Sequence, residues 1–128
     1  MIQESGLTLA YIGDAIYELK IREYLVKEGI EKVNNLHNEA IKYTSAKAQS
    51  DIMVELINTL SEEEILYYKR GRNSGGTHKP KHFSLKDYRE ATGFESLLGA
   101  LFLEKRMDRL AEIIEFSINF SNCKNREN

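Results

Sequence analysis

The chain has 128 residues, 41% of them hydrophobic, with 18 Lys and Arg against 20 Asp and Glu for a net charge of −2. That length carries one domain with one core and excludes a multidomain enzyme. No run approaches the roughly 18 to 20 apolar residues of a membrane span, and the first residues lack a basic segment leading into an apolar one. The single cysteine, Cys123, can form neither an internal disulfide nor a cysteine-based zinc cluster, so the expectation is a soluble protein of the reducing cytoplasm.

In chain order, the apolar periodicity predicts helices over 7–27, 35–59, 62–69, 88–104 and 107–120. Gly29 closes the first of these as a C-terminal glycine. Ser61, with Glu64 three residues on, forms a capping box ahead of the third. The last eight residues, 121–128, read as a frayed polar tail. No alternating strand pattern and no internal repeat is present, so the chain is expected to be all-α, one domain over 1–128.

Between the third and fourth helices, residues 69–82 read Lys-Arg-Gly-Arg-Asn-Ser-Gly-Gly-Thr-His-Lys-Pro-Lys-His. Lys69, Arg70, Arg72, Lys79 and Lys81 stand there without an acidic residue. Since the whole chain carries −2, the remainder without these five cations carries −7. A charge run of this kind can be a solvated surface loop. Three glycines nevertheless let the backbone approach a partner closely, and the Arg70-Gly-Arg-Asn73 segment offers forked donors suited to phosphate oxygens, which points to a nucleic-acid backbone.

Two carboxylates stand alone in apolar surroundings. From Leu7 to Tyr17 the one charge is Asp14, and from Ala91 to Leu103 the one charge is Glu95. On a helical wheel Leu7, Ala10, Tyr11, Ile21 and Leu25 fall within about 60° of Asp14, while Leu9, Ile12, Ile16 and Leu19 lie opposite. A helix apolar nearly all round is expected to be buried, and Asp14 with it. Buried carboxylates need partners. Gly13 and Gly99 allow the two helices to approach and bring the acids together, where a cation would relieve their repulsion; hard oxygen ligands favour Mg²⁺ or Mn²⁺. The alternative is a pair of structural acids bonded to Arg, Tyr or backbone groups. A magnesium-type site beside a basic loop suggests phosphodiester hydrolysis.

The segments 9–18 (Leu-Ala-Tyr-Ile-Gly-Asp-Ala-Ile-Tyr-Glu), 70–73 (Arg-Gly-Arg-Asn) and 91–99 (Ala-Thr-Gly-Phe-Glu-Ser-Leu-Leu-Gly) resemble the motifs of Mini-ribonuclease III, the short bacterial branch of the ribonuclease III family. Thr44-Ser-Ala-Lys-Ala-Gln49 resembles that branch too, and the resemblance covers nearly the whole chain. It implies a helical, homodimeric, cytoplasmic endonuclease domain that cuts double-stranded RNA with a divalent metal, leaves 5′-phosphate and 3′-hydroxyl ends, and acts without a separate double-stranded-RNA-binding domain. The associated role is maturation of the large-subunit (23S) ribosomal RNA precursor, with a ribosomal-protein helper left open. Asp14 matches the signature aspartate and Glu95 the metal-binding glutamate. Leu7, Ala10 and Thr92 stand where longer members of the family carry further acids, which leaves the number of metals open.

Arg70, Arg72, Asn73, Lys79 and Lys81 are the expected RNA contacts. Glu18 reads as an ordinary helix residue, with an outer role near the metal as the alternative. His37, His78 and His82 lack zinc spacing and receive neither metal nor base roles. Tyr11 and Tyr17 are expected to pack with satisfied hydroxyls, and Tyr67 and Tyr68 to pack in the core, with contact to RNA as the alternative for the latter two. The rival function is a non-catalytic RNA-binding or ribosome-associated protein of the same fold, which would keep the loop and lose the two carboxylates.

Overall fold

The computed structural model describes residues 1–74 and 84–127. Among them the chain forms six α-helices and one 3₁₀ turn: α1 Gly6–Lys27, α2 Val33–Thr44, α3 Ala46–Leu56, the turn Ile57–Thr59, α4 Glu62–Arg72, α5 Leu85–Leu103 and α6 Met107–Glu127. No strand occurs among the described residues, as the all-α reading expects. No helix among them is long and apolar enough to cross a membrane.

The helix termini follow their caps. Gly29, at φ +92°, lies just past the end of α1, and the Ser61/Glu64 capping box opens α4. Elsewhere the boundaries move. The helix expected over 35–59 is two helices, because Ser45 adopts an extended backbone and its hydroxyl accepts from the Ala48 amide at 3.1 Å, capping a new start. Helix α4 runs on through Gly71 to Arg72, so Lys69, Arg70 and Arg72 are helical and not loop residues. Ser84 caps α5 three residues before the expected start, accepting from the Asp87 amide. The tail does not fray: α6 continues to Glu127, and Asn122 is bonded to the hydroxyls of both Tyr24 and Tyr43.

Helix α5 is the centre of the bundle. From Ala91 to Leu101 every residue is buried except Glu95. Helices α1 and α4 run antiparallel to it and touch each other at Gly6 and Arg70, with α3 also packed against α5. Tyr17 of α1 meets Phe94 edge-on at 5.0 Å, and Ser96 donates to the Tyr67 carbonyl of α4 at 2.9 Å. Tyr67 and Tyr68 are core residues, as expected. Leu110, Ile113 and Ile114 of α6 complete the core.

Helix α1 contradicts the expectation of burial all round. Its buried stripe is Gly6, Leu9, Ala10, Gly13, Tyr17, Ile21 and Leu25, whereas Leu7, Tyr11, Leu19 and Val26 are exposed, Tyr11 by 80%. The bundle covers one stripe of the helix, with Ile16 partly buried at its edge, and leaves these four apolar side chains exposed.

One polar cluster escaped the sequence reading. Glu64, 2% exposed, receives two hydrogen bonds from Arg109, at 2.8 and 3.0 Å, and one from Arg106 at 3.3 Å, besides the capping bond from the Ser61 amide. A buried carboxylate is tolerable where its lone pairs are filled in this way. The cluster ties α4 to α6, away from Asp14 and Glu95.

Candidate active site

Gly13 and Gly99 set the geometry of the site. A Cβ at Gly13 would stand 1.8 Å from the Glu95 carbonyl oxygen, and one at Gly99 would stand 1.9 Å from that of Leu9. Both are far inside any permitted contact, so only glycine allows the backbones of α1 and α5 to lie this close. The close approach carries Asp14, one position beyond Gly13, to the rim of the contact. There its carboxylate lies near enough to Glu95 for its charge to act on that acid.

The two acids therefore meet, but not in the core. Asp14 is exposed, contrary to the expected burial: Ala10, Ile21 and Leu25 on its side of α1 are buried, but Leu7 and Tyr11, in the two turns before it, are open to solvent. Glu95 is half-buried. Its burial and the adjacent charge of Asp14 push its pKa up to about 8, with a smaller contribution from Glu18, while a hydrogen bond from Gln49 acts in the opposite sense. In the metal-free protein near neutral pH Glu95 accordingly tends to keep its proton. Glu18 itself pairs with Arg22 at 3.6 Å.

Gln49 is the residue that the sequence reading passed over. It is 2% exposed, and its Nε2 donates to Glu95 Oε2 at 3.3 Å and to the Thr44 carbonyl at 3.0 Å. Its Oε1 is buried and has no partner among the described residues. A buried acceptor left unpaired costs about 1–3 kcal/mol. Nothing local in the sequence singles it out: its neighbour Ser50 is buried as well, so a polar residue on the inner face of α3 is no signal of its own.

Asp14 and Glu95 form a pair rather than a cluster: no three His, Cys, Asp or Glu side chains converge among the described residues. The positions where longer enzymes carry acids are otherwise used. Leu7 is exposed, Ala10 is buried, and the Thr92 hydroxyl donates to the carbonyl of Tyr88 in its own helix.

The basic segment begins close by, since Gly71 packs against Thr92, a turn before Glu95 on α5, and against Ser96, next to it. Arg70 is not wholly free for RNA. Its Nη1 donates to the carbonyls of Ile2 and Glu4, at 2.8 and 3.1 Å, and its guanidinium lies 5.1 Å from the Tyr67 ring centroid. Arg72 covers Tyr68 at 5.3 Å and donates through Nε to the Asn73 side chain at 3.1 Å. Lys69 and Asn73 are exposed. Lys79 and Lys81, with His78 and His82, lie outside the described residues. His37 is exposed on α2. Tyr17 donates to the Tyr43 carbonyl from full burial, as expected of it, whereas Tyr11 projects outward and does not pack.

Comparison with known proteins identifies the family. The ribonuclease III domain family matches residues 7–106, which span Asp14, the start of the basic segment and Glu95. The protein named Mini-ribonuclease 3 from Enterococcus faecalis is 49% identical over 118 residues, covering 91% of this chain and 89% of its own length. That of Clostridium tetani is 45% identical, covering 91% and 78%. A crystal structure of a Fusobacterium nucleatum protein superposes with a TM-score of 0.82 at 38% identity, covering 91% of this chain and 93% of the other. The chain belongs to the Mini-ribonuclease III branch of the ribonuclease III family.

Proposed function

We propose that the protein is an endoribonuclease that hydrolyses phosphodiester bonds in double-stranded RNA, with Asp14 and Glu95 holding a divalent cation. The observation that carries this reading is the close approach of α1 and α5 at Gly13 and Gly99, which sets Asp14 beside Glu95 so that the charge of one acts on the other. Like charges so placed are relieved by a cation, and the donors suit one. Both are hard oxygens, and the buried, unpartnered Oε1 of Gln49 lies on the amide that braces Glu95. Mg²⁺ needs only one or two carboxylates because it keeps much of its water, so a pair is a sufficient protein contribution; Mn²⁺ would serve in its place. Bound there, the cation supplies an activated water and charge stabilisation at the phosphate.

The chain's own residues do the rest. Exposed Asp14 gives the site an open side where an RNA strand can reach it, while Glu95, fixed by Gln49, supplies the less mobile ligand. Cleavage would leave 5′-phosphate and 3′-hydroxyl ends. Likeness to the Mini branch supports the precursor of 23S ribosomal RNA as the natural duplex. Incubating the purified protein with a long RNA duplex, with and without Mg²⁺, tests the activity. Cutting only with Mg²⁺ is expected, and binding without cutting would favour the non-catalytic rival.

The exposed arc of Leu7, Tyr11, Leu19 and Val26 on α1 supports a homodimer, in which a second copy covers apolar surface that the bundle leaves open. Sedimentation at micromolar concentration is expected to give a dimer, and a monomer would remove this assignment.

For the basic segment the structure redirects the test. Arg72, Asn73, Lys79 and Lys81 are proposed as phosphate contacts, whereas Arg70 divides itself between RNA and the N-terminal residues. In an Asp14→Asn background, replacing Arg72, Lys79 or Lys81 by Ala should lower the slope of log affinity against log salt by about one unit for each phosphate that is no longer neutralised. Arg70→Ala should also lower the melting temperature. Unchanged slopes would return the segment to solvated charge.

A further inference from the structure

Gln49 owes its position to a break in the helix. Were α2 and α3 continuous, the Thr44 carbonyl would accept from the Ala48 amide four residues on. The Ser45 hydroxyl takes that amide instead, at 3.1 Å, and leaves the Thr44 carbonyl to the Gln49 side chain at 3.0 Å. The side chain therefore folds back over the first turn of its own helix. One amide nitrogen then bridges a main-chain oxygen of one segment and the Glu95 carboxylate of another.

We propose that Gln49 is a positioning residue for the metal site: anchored on Thr44, its carboxamide holds Glu95 Oε2 so that the carboxylate meets Asp14 and the cation in one orientation. The inference rests on the assignment of Asp14 and Glu95 as metal ligands. Three observations support it. Gln49 is buried where an apolar side chain would fill the same space without polar cost. Among the described residues its only hydrogen bond to another side chain goes to Glu95. The same amide keeps a buried oxygen without a partner among the described residues, so its hydrogen bonding there is not arranged for its own satisfaction. Groups that orient a ligand from behind commonly change metal affinity or activity by about 10- to 100-fold when removed.

The test compares wild type, Gln49→Leu, Gln49→Asn and Asp14→Asn in two measurements: Mn²⁺ binding to the RNA-free protein by electron paramagnetic resonance, and cleavage of an RNA duplex across a Mg²⁺ titration. Circular dichroism melts report folding. Leu keeps the bulk and removes the donor, whereas Asn keeps the chemistry and draws the donor back by one methylene. Both are expected to fold, to weaken Mn²⁺ binding about tenfold or more, and to raise by a similar factor the Mg²⁺ needed for half-maximal cleavage. The KM for RNA at saturating Mg²⁺ should stay near that of wild type. Folded variants with unchanged Mn²⁺ affinity overturn the proposal and make Gln49 a packing residue, as does failure of both variants to fold. If wild type and Asp14→Asn bind Mn²⁺ alike, the carboxylate site itself is wrong, and Gln49 falls with it.

Discussion

Asp14→Asn and Glu95→Gln should each lower cleavage of an RNA duplex by at least about a hundredfold, since a metal site supplies several kcal/mol at the transition state and each 1.4 kcal/mol is a factor of ten. Both changes keep the shape of the side chain and remove the charge that holds the cation. Either variant cutting at near wild-type rate in Mg²⁺ would exclude that residue as a ligand. The same variants should behave differently in stability, which separates a metal site from a structural ion pair. Glu95 has its pKa raised from the ordinary 4.5 to about 8 in the metal-free fold. Below pH 4.5 it is protonated in the folded and unfolded chains alike and costs nothing. As pH rises from about 4.5 to about 8, the unfolded chain releases its proton while the folded chain retains it, and stability falls by up to about 1.4 kcal/mol for each pH unit of the window. Glu95→Gln should abolish that decline and be more stable than wild type at pH 8 in the presence of a chelator. Denaturant unfolding at pH 5 and pH 8 measures it. A Gln variant less stable at both pH values would instead mark Glu95 as half of a stabilising pair.

The two acids could be read from the chain because each is the only charge in an apolar stretch, and such a stretch has few means of holding a charge without purpose. What that argument misjudged was depth. Asp14 has apolar neighbours on its own helix, but α1 turns Leu7, Tyr11, Leu19 and Val26 outward, so an apolar composition does not mean enclosure when part of the surface is left for another molecule. Gln49 was invisible for a different reason. Its role depends on a break at Ser45 that frees one carbonyl, and on α3 crossing α5 at Glu95, a contact spanning 46 positions that no local pattern encodes. The Glu64 cluster shows the same limit: the capping box is local and was legible, whereas Arg106 and Arg109 come from more than 40 residues away. Arg70 was legible as a phosphate-type donor, but the N-terminal carbonyls that occupy one of its nitrogens were not.

Gly13→Ala should be the most damaging single-methyl change at this site, costing at least about 3 kcal/mol and removing activity with it. On local grounds the sign should be opposite, because Ala is favoured over Gly inside a helix by about 0.8–1 kcal/mol. The added methyl, however, would sit 1.8 Å from a main-chain oxygen of α5 and 2.6 Å from its carbon, and neither atom can rotate away. The helices must separate, and the separation falls at Glu95, so the distance between the two carboxylates opens together with the packing. Gly29→Ala provides the contrast. There the cost is the positive φ of +92° with nothing within 4 Å of the new methyl, about 1–2 kcal/mol, and cleavage should survive. Gly99→Ala meets α1 from the other side of the same contact, at 1.9 Å from the Leu9 oxygen, so once one methyl has forced the helices apart the second has less to displace. The double variant should therefore cost less than the sum of the singles, with a coupling of about 1 kcal/mol or more in a denaturant cycle at fixed protein concentration. Additive costs would show that the two glycines act at separate contacts, and a Gly13→Ala protein as stable and active as wild type would show that close approach of α1 and α5 is not what brings Asp14 to Glu95.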